Sequence, residues 1–167
     1  EAGNAAGMSC LGWLYQNEKK DINSAFEWYQ KAADVGNAEA MHNLGWLYQN
    51  EKKDIKQAFD WYQKAADAGN AAAMVALGWL YHNEKKDLEA AFGWCKKAAD
   101  AGNAVAMFSL GWLYQQEGKD IKSAFAWYQK AADAGNAAAM GSLGWLYHNE
   151  KKDIEAAYEW FRKGAEA

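Results

Sequence analysis

The stretch NAEAMHNLGWLYQN, Asn37 to Asn50, decides the fold. Its apolar residues Ala40, Met41, Leu44, Leu47 and Tyr48 recur at helical spacing, so they fall on one stripe of an α-helix. The centre of the stretch, LGWLY from Leu44, begins again at Leu11, Leu77, Leu110 and Leu143. The chain is therefore five near-copies of a 33-residue unit, in the registers 4–36, 37–69, 70–102, 103–135 and 136–167. A fixed period of this length belongs to a stacked helical array, in which each unit buries its apolar face only against its neighbours.

Immediately before the stretch, Gly36 can close a preceding helix in a left-handed conformation and Asn37 can cap the next one. Beyond it, Asn50 to Lys53 form a short connection. A second helix then begins near Asp54, a capping residue that returns as Asp21, Asp87, Asp120 and Asp153, and stops at Gly69. Its apolar residues Ile55, Ala58, Phe59, Trp61, Tyr62, Ala65 and Ala66 make a broad face, while Lys56, Gln57, Asp60, Gln63, Lys64 and Asp67 point to water. The two helices run antiparallel, and Gly45 permits their close approach.

LGWLY, followed by D-x-x-x-A-x-x-W-Y-x-K-A-A-x-x-G, resembles the Sel-1-like repeat, a relative of the tetratricopeptide repeat, over essentially the whole chain. The resemblance implies an all-α fold, an alpha-alpha superhelix: one right-handed solenoid domain over 1–167, with the first helices lining a concave face. The connection NEKK is shorter than in the family, and only Gly118 keeps a glycine there. The cysteine pair that disulfide-linked members carry in each repeat is missing. Cys10 and Cys95 occupy non-equivalent positions two repeats apart and read as free, mostly buried thiols.

At about 100° per residue, Trp46 lies roughly 200° from Leu44, nearly opposite the buried stripe. The same holds for Trp13, Trp79, Trp112 and Trp145, so five indoles are expected in a ladder within the groove that the resemblance implies. Their helical neighbours Gln16, Gln49, Asn50, His82, Asn83, Gln115 and His148 would give that groove an amide-rich lining. One turn earlier the units diverge, with His42 and Phe108 among the candidate selectors. The second-helix residues Trp28, Trp61, Trp94, Trp127 and Trp160 match the family's W-Y pair and read as core.

Other chemistries find little support. The net charge is −4, with lysines interspersed among acids, so no basic stripe is available for a phosphate backbone and nucleic acid is not an expected partner. No apolar run spans a bilayer. The histidines lie in different repeats, no cofactor motif or glycine-rich phosphate loop is present, and no serine recurs with a histidine and an acid, so neither a metal nor a catalytic site is expected. The first helices contain no Lys or Arg, which excludes a clamp for C-terminal carboxylates.

The sequence thus predicts a soluble, non-enzymatic scaffold that binds a protein or peptide. A saccharide or small-ligand receptor using the indoles is the alternative, and the near-identity of NEKKD in four of five units would also suit a purely structural or engineered consensus-like array. The first and last helices look like interior ones, which predicts either a longer array or end-to-end stacking. The resemblance suggests a bacterial protein and leaves cytoplasm, periplasm and secretion open.

Overall fold

One glycine and one asparagine build each junction between units. In the computed structural model, which describes residues 4–167, α2 (Ile22–Asp34) ends with Gly36 at φ 89°. The Gly36 N–H donates to the Ala33 carbonyl at 2.9 Å, and the Asn37 N–H donates to the Ala32 carbonyl at 3.0 Å. This Schellman pattern satisfies carbonyls that the helix leaves open. The Asn37 side chain then accepts from the Ala40 N–H at 2.8 Å and starts α3 (Ala38–Leu47). One residue therefore finishes one helix and caps the next. Gly69, Gly102 and Gly135, at φ 84–86°, act in the same way with Asn70, Asn103 and Asn136.

The fold divides into two units. The first runs through Leu80 and contains α1 (Ala5–Asn17), α2, α3, α4 (Ile55–Asp67) and α5 (Ala71–Leu80). The second begins at Tyr81 and contains α6 (Leu88–Asp100), α7 (Ala104–Gln116), α8 (Ile121–Asp133), α9 (Ala137–Leu146) and α10 (Ile154–Glu166). Among the described residues there are thus ten α-helices and no strand, the all-α architecture expected from the two apolar stripes. Asp21, Asp54, Asp87, Asp120 and Asp153 each cap a second helix by accepting from the backbone N–H three residues on.

The connection within a unit is tighter than a loop. In three units the first helix widens into a π turn, at Tyr48–Lys52, Tyr81–Lys85 and Tyr147–Lys151. After Tyr48–Lys52 a single left-handed residue, Lys53 at φ 57°, turns the chain, and the Tyr48 carbonyl accepts from both Lys53 and Asp54. Lys20, Lys86, Lys119 and Lys152 are also left-handed, so even in the fourth unit the residue with positive φ is Lys119 and not Gly118.

In unit 1 the core joins Ala25, Tyr29, Ala32 and Ala33 of α2 to Ala40, Leu44 and Leu47 of α3. In unit 2 Ala124, Tyr128, Ala131 and Ala132 of α8 meet Ala139, Leu143 and Leu146 of α9 in the same way. Glycine allows the helix pairs to approach: a Cβ on Gly45 would lie 2.6 Å from Cδ1 of Tyr62, and one on Gly111 would lie 2.5 Å from that of Tyr128.

Two sequence expectations need correction. The second-helix tryptophans are half-buried rather than core. Trp61 and Trp160 flank the cores of their units, and in all five units a lysine three residues on covers the indole, with its Nζ 4.0–4.4 Å from the ring centroid. Cation–π attraction suits an indole with one dry and one wet face. Cys95 is buried, which pushes its thiol pKa up to about 12, whereas Cys10 is exposed.

Candidate functional site

Exposure of the first-helix indoles depends on what stands beside each one. In unit 1, Trp13 on α1 is 51% exposed and Trp46 on α3 is 38% exposed, while Trp79 on α5 is half-buried. In unit 2, Trp145 on α9 is 58% exposed. Trp112 on α7 is half-buried, with the His82 imidazole edge-on at a centroid distance of 5.3 Å. A helical wheel places all five opposite the leucine stripe but carries no information about the rest of the fold, and so misses the half-burial of Trp79 and the His82 ring beside Trp112.

Histidines flank indoles in unit 2. His82 holds Asn83 through Nδ1 at 2.7 Å and Glu117 through Nε2 at 3.1 Å, which links the π turn after α5 to the end of α7. His148 lies edge-on to Trp145 at 6.0 Å, and Trp145 also meets Phe161 of α10 at 5.4 Å. The rings of Trp112 and Trp145 are thereby held in defined planes.

The glutamines have a role that the sequence reading missed. Tyr29, Tyr62 and Tyr128 donate their hydroxyls to the Oε1 atoms of Gln16, Gln49 and Gln115 at 2.9, 2.9 and 2.8 Å. Each bond ties a second helix to the end of the first helix of its own unit. Burial pushes the Tyr29 and Tyr128 phenols up to about 12 and Tyr62 further still, so all three remain protonated donors at neutral pH. A signal was present: Gln occurs in the units with a tyrosine at that place, and His82 and His148 occur where it is Cys95 or Phe161.

The candidate selectors face inward. His42 lies against the Tyr62 ring at 5.5 Å, and Phe108 lies in the same way against Tyr128 at 5.6 Å. Desolvation lowers the pKa of His42, opposed by its 3.3 Å contact with Asn43 and by nearby Glu39. Asn50 donates to the Trp46 carbonyl at 3.0 Å and finishes the helix there. Among the described residues no three His, Cys, Asp or Glu side chains gather as metal ligands, and no helix is long and apolar enough to cross a membrane.

Paired antiparallel helices repeated on a fixed period define a protein of the helical-repeat class. The Sel1 repeat model matches residues 5–37, 38–70, 71–103, 104–136 and 137–167, one residue later than the register read from the sequence. The chain belongs to the Sel1 repeat family, whose fold is commonly a protein-interaction scaffold.

Among solved structures, the Sel1 repeat protein from Oxalobacter formigenes is 32% identical, with a TM-score of 0.85 over 98% of this chain and 73% of that one. The chain is 28% identical to c5321, a protective antigen present in uropathogenic Escherichia coli strains, with a TM-score of 0.76 over 98% of this chain but only 38% of that one. The immunity protein Pa5087 from Pseudomonas aeruginosa, 23% identical with a TM-score of 0.72 over 98% of this chain and 70% of that one, shares the fold. No curated protein sequence matches.

Proposed function

We propose that the chain is a non-enzymatic scaffold that binds a protein or peptide partner, with the exposed indoles on the first helices of each unit as anchors. The observation that carries this reading is the exposure of Trp46 and Trp145, at 38% and 58%, on helices whose leucine faces lie in the core, together with Trp13 at 51% on α1. Indole offers a large rigid contact area and one N–H donor at low entropic cost, which is why Trp is prominent in binding hot spots. Trp79 and Trp112 contribute the edges left accessible beside them. His82 and His148 orient rings, Asn50, Asn83 and the glutamines supply rim polarity, and His42 and Phe108 tune the site through the tyrosines beneath them.

The test is capture of partners from source-cell lysate by the native chain and by a Trp13/Trp46/Trp145→Ala variant, read by mass spectrometry alongside thermal melts. Loss of a specific protein with an unchanged melt is expected. Retention of the same proteins by the folded variant would overturn the reading, and so would binding on a glycan array together with an empty protein capture.

A further inference from the structure

One junction departs from the repeat at a place that the indoles do not line. In unit 2, one stripe of α8 and the π turn Tyr147–Lys151 enclose an open cleft of about 560 Å³, a size that suits a small molecule. Ile121, Phe125 and Ala126 form its α8 wall and Tyr147 the wall opposite, with Lys122, Glu150 and Lys151 also in the lining. Both walls have described neighbours: α8 packs on α7 and on α9, and the π turn continues α9 and packs on α10.

The rings fix one of the charges. Phe125 and Tyr147 meet edge-on with centroids 4.8 Å apart, and the Lys151 ammonium sits 4.2 Å from the first ring and 4.8 Å from the second. Cation–π attraction holds that ammonium against the aromatic floor. In unit 1 Phe26 and Tyr48 make the same edge-on contact at 5.1 Å, but there the Lys52 ammonium stands 5.9 Å from Phe26.

The chemistry of α8 sets this cleft apart. Lys122 brings a second ammonium, and Ala126 brings a methyl group and no charge, both at exposed positions. No other repeat combines them. The first two have Glu27 and Asp60 in the place of Ala126, the third has Glu89 in the place of Lys122, and the fifth has Glu155 and Glu159 in the two places. Of the neighbouring acids, Asp120 accepts from the Ser123 N–H at 3.0 Å and from its hydroxyl at 2.6 Å, and Asp133 accepts from Gln129 at 2.9 Å. Glu150 is the one carboxylate in the lining, so the two ammoniums leave one positive charge in excess over an apolar bed. A carboxylate carried on an aryl or branched alkyl body matches both features, with its charge shared by Lys122 and Lys151 and its body against Ile121, Ala126 and the rings.

We infer that this cleft is a binding site for a small apolar carboxylate. It uses a second helix and a connection rather than the first-helix indoles, so its test is separate from that of the partner-binding reading.

Backbone NMR of the native chain, titrated with hydrocinnamate and in parallel with its uncharged carboxamide, tests the site. Saturable shifts confined to residues 121–129 and 147–151 are expected with the carboxylate. The carboxamide should bind about tenfold more weakly, through loss of one charge-assisted contact. Lys122→Asn and Ala126→Glu copy Asn23 and Glu27 at exposed positions, and each should weaken hydrocinnamate binding about tenfold at an unchanged melt. Glu150→Gln should strengthen it several-fold. Equal affinity for acid and carboxamide would overturn the inference, as would shifts centred on the indoles, an absence of saturable shifts, or native affinity in both α8 variants.

Discussion

The Tyr62 hydroxyl and the Gln49 carbonyl, thirteen residues apart and 2.9 Å from each other, show how a side-chain pair fixes a helix pair. Removing the acceptor leaves a buried phenol unsatisfied, whereas removing the hydroxyl frees only the half-buried Gln49 amide, which water can reach. Gln49→Ala should therefore cost about 1–2 kcal/mol and Tyr62→Phe less, with coupling of about 1 kcal/mol in a double-mutant cycle read by urea unfolding. The fifth unit carries Phe161 and no Gln, so the bond is not obligatory in this fold. His42 makes a pH prediction. Burial holds its folded pKa below the ordinary 6.5, so the unfolded chain binds more protons as the solution is acidified. The stability this confers is complete above about pH 6.5 and is lost as pH falls through the lowered folded value. His42→Phe, which copies Phe108, should flatten that part of the stability curve in denaturant titrations at a series of pH values.

At the scale of the element, the helix pairs are set by glycine contacts and by left-handed turns. Ala favours a helix over Gly by about 1 kcal/mol, yet a Cβ at Gly45 would lie 2.6 Å from the Tyr62 ring. Gly45→Ala should consequently lower the melting temperature through overpacking of about 1–3 kcal/mol. Gly93→Ala, on the exposed side of α6 with nothing within 4 Å, should raise it. Lys53 at φ 57° occupies a region that disfavours side chains by about 1–2 kcal/mol. Lys53→Gly relieves this but adds unfolded-chain entropy, so a net gain of up to about 1 kcal/mol is expected in chemical denaturation. The short connection closes in all five repeats with the N–H of the capping Asp donated to the tyrosine carbonyl six residues earlier, and in three of them a π turn carries the helix up to the reversal.

For the whole molecule, the two tryptophan series separate binding from stability. Trp46 is exposed, whereas Trp61 packs on the core of unit 1 beneath the Lys64 ammonium at 4.0 Å. Trp61→Ala should be the destabilising change, by up to about 3 kcal/mol, and Trp46→Ala should stay within about 0.5 kcal/mol while reducing partner capture. Equal damage to both melts with capture per folded molecule unchanged would assign the first-helix indoles to packing. Trp79 is the poorer probe because its half-burial mixes the two effects.

The five-fold period, the ten helices and their boundaries at Gly36, Gly69, Gly102 and Gly135 were legible in the sequence. They depend on helical spacing, left-handed glycines and capping Asn and Asp residues, all of which act within a few residues. The residues that meet across helices were legible only in part. Gly45 declared its close approach, but the Gln–Tyr bonds, the lysines over the second-helix tryptophans and the inward setting of His42 and Phe108 needed the structure. Tertiary structure also decided which indoles stay in water. A helical wheel gives each first-helix tryptophan the same direction, whereas burial depends on what the rest of the fold sets beside it: Trp112, with His82 edge-on, is half-buried, and Trp145, flanked by His148 and Phe161, is still 58% exposed.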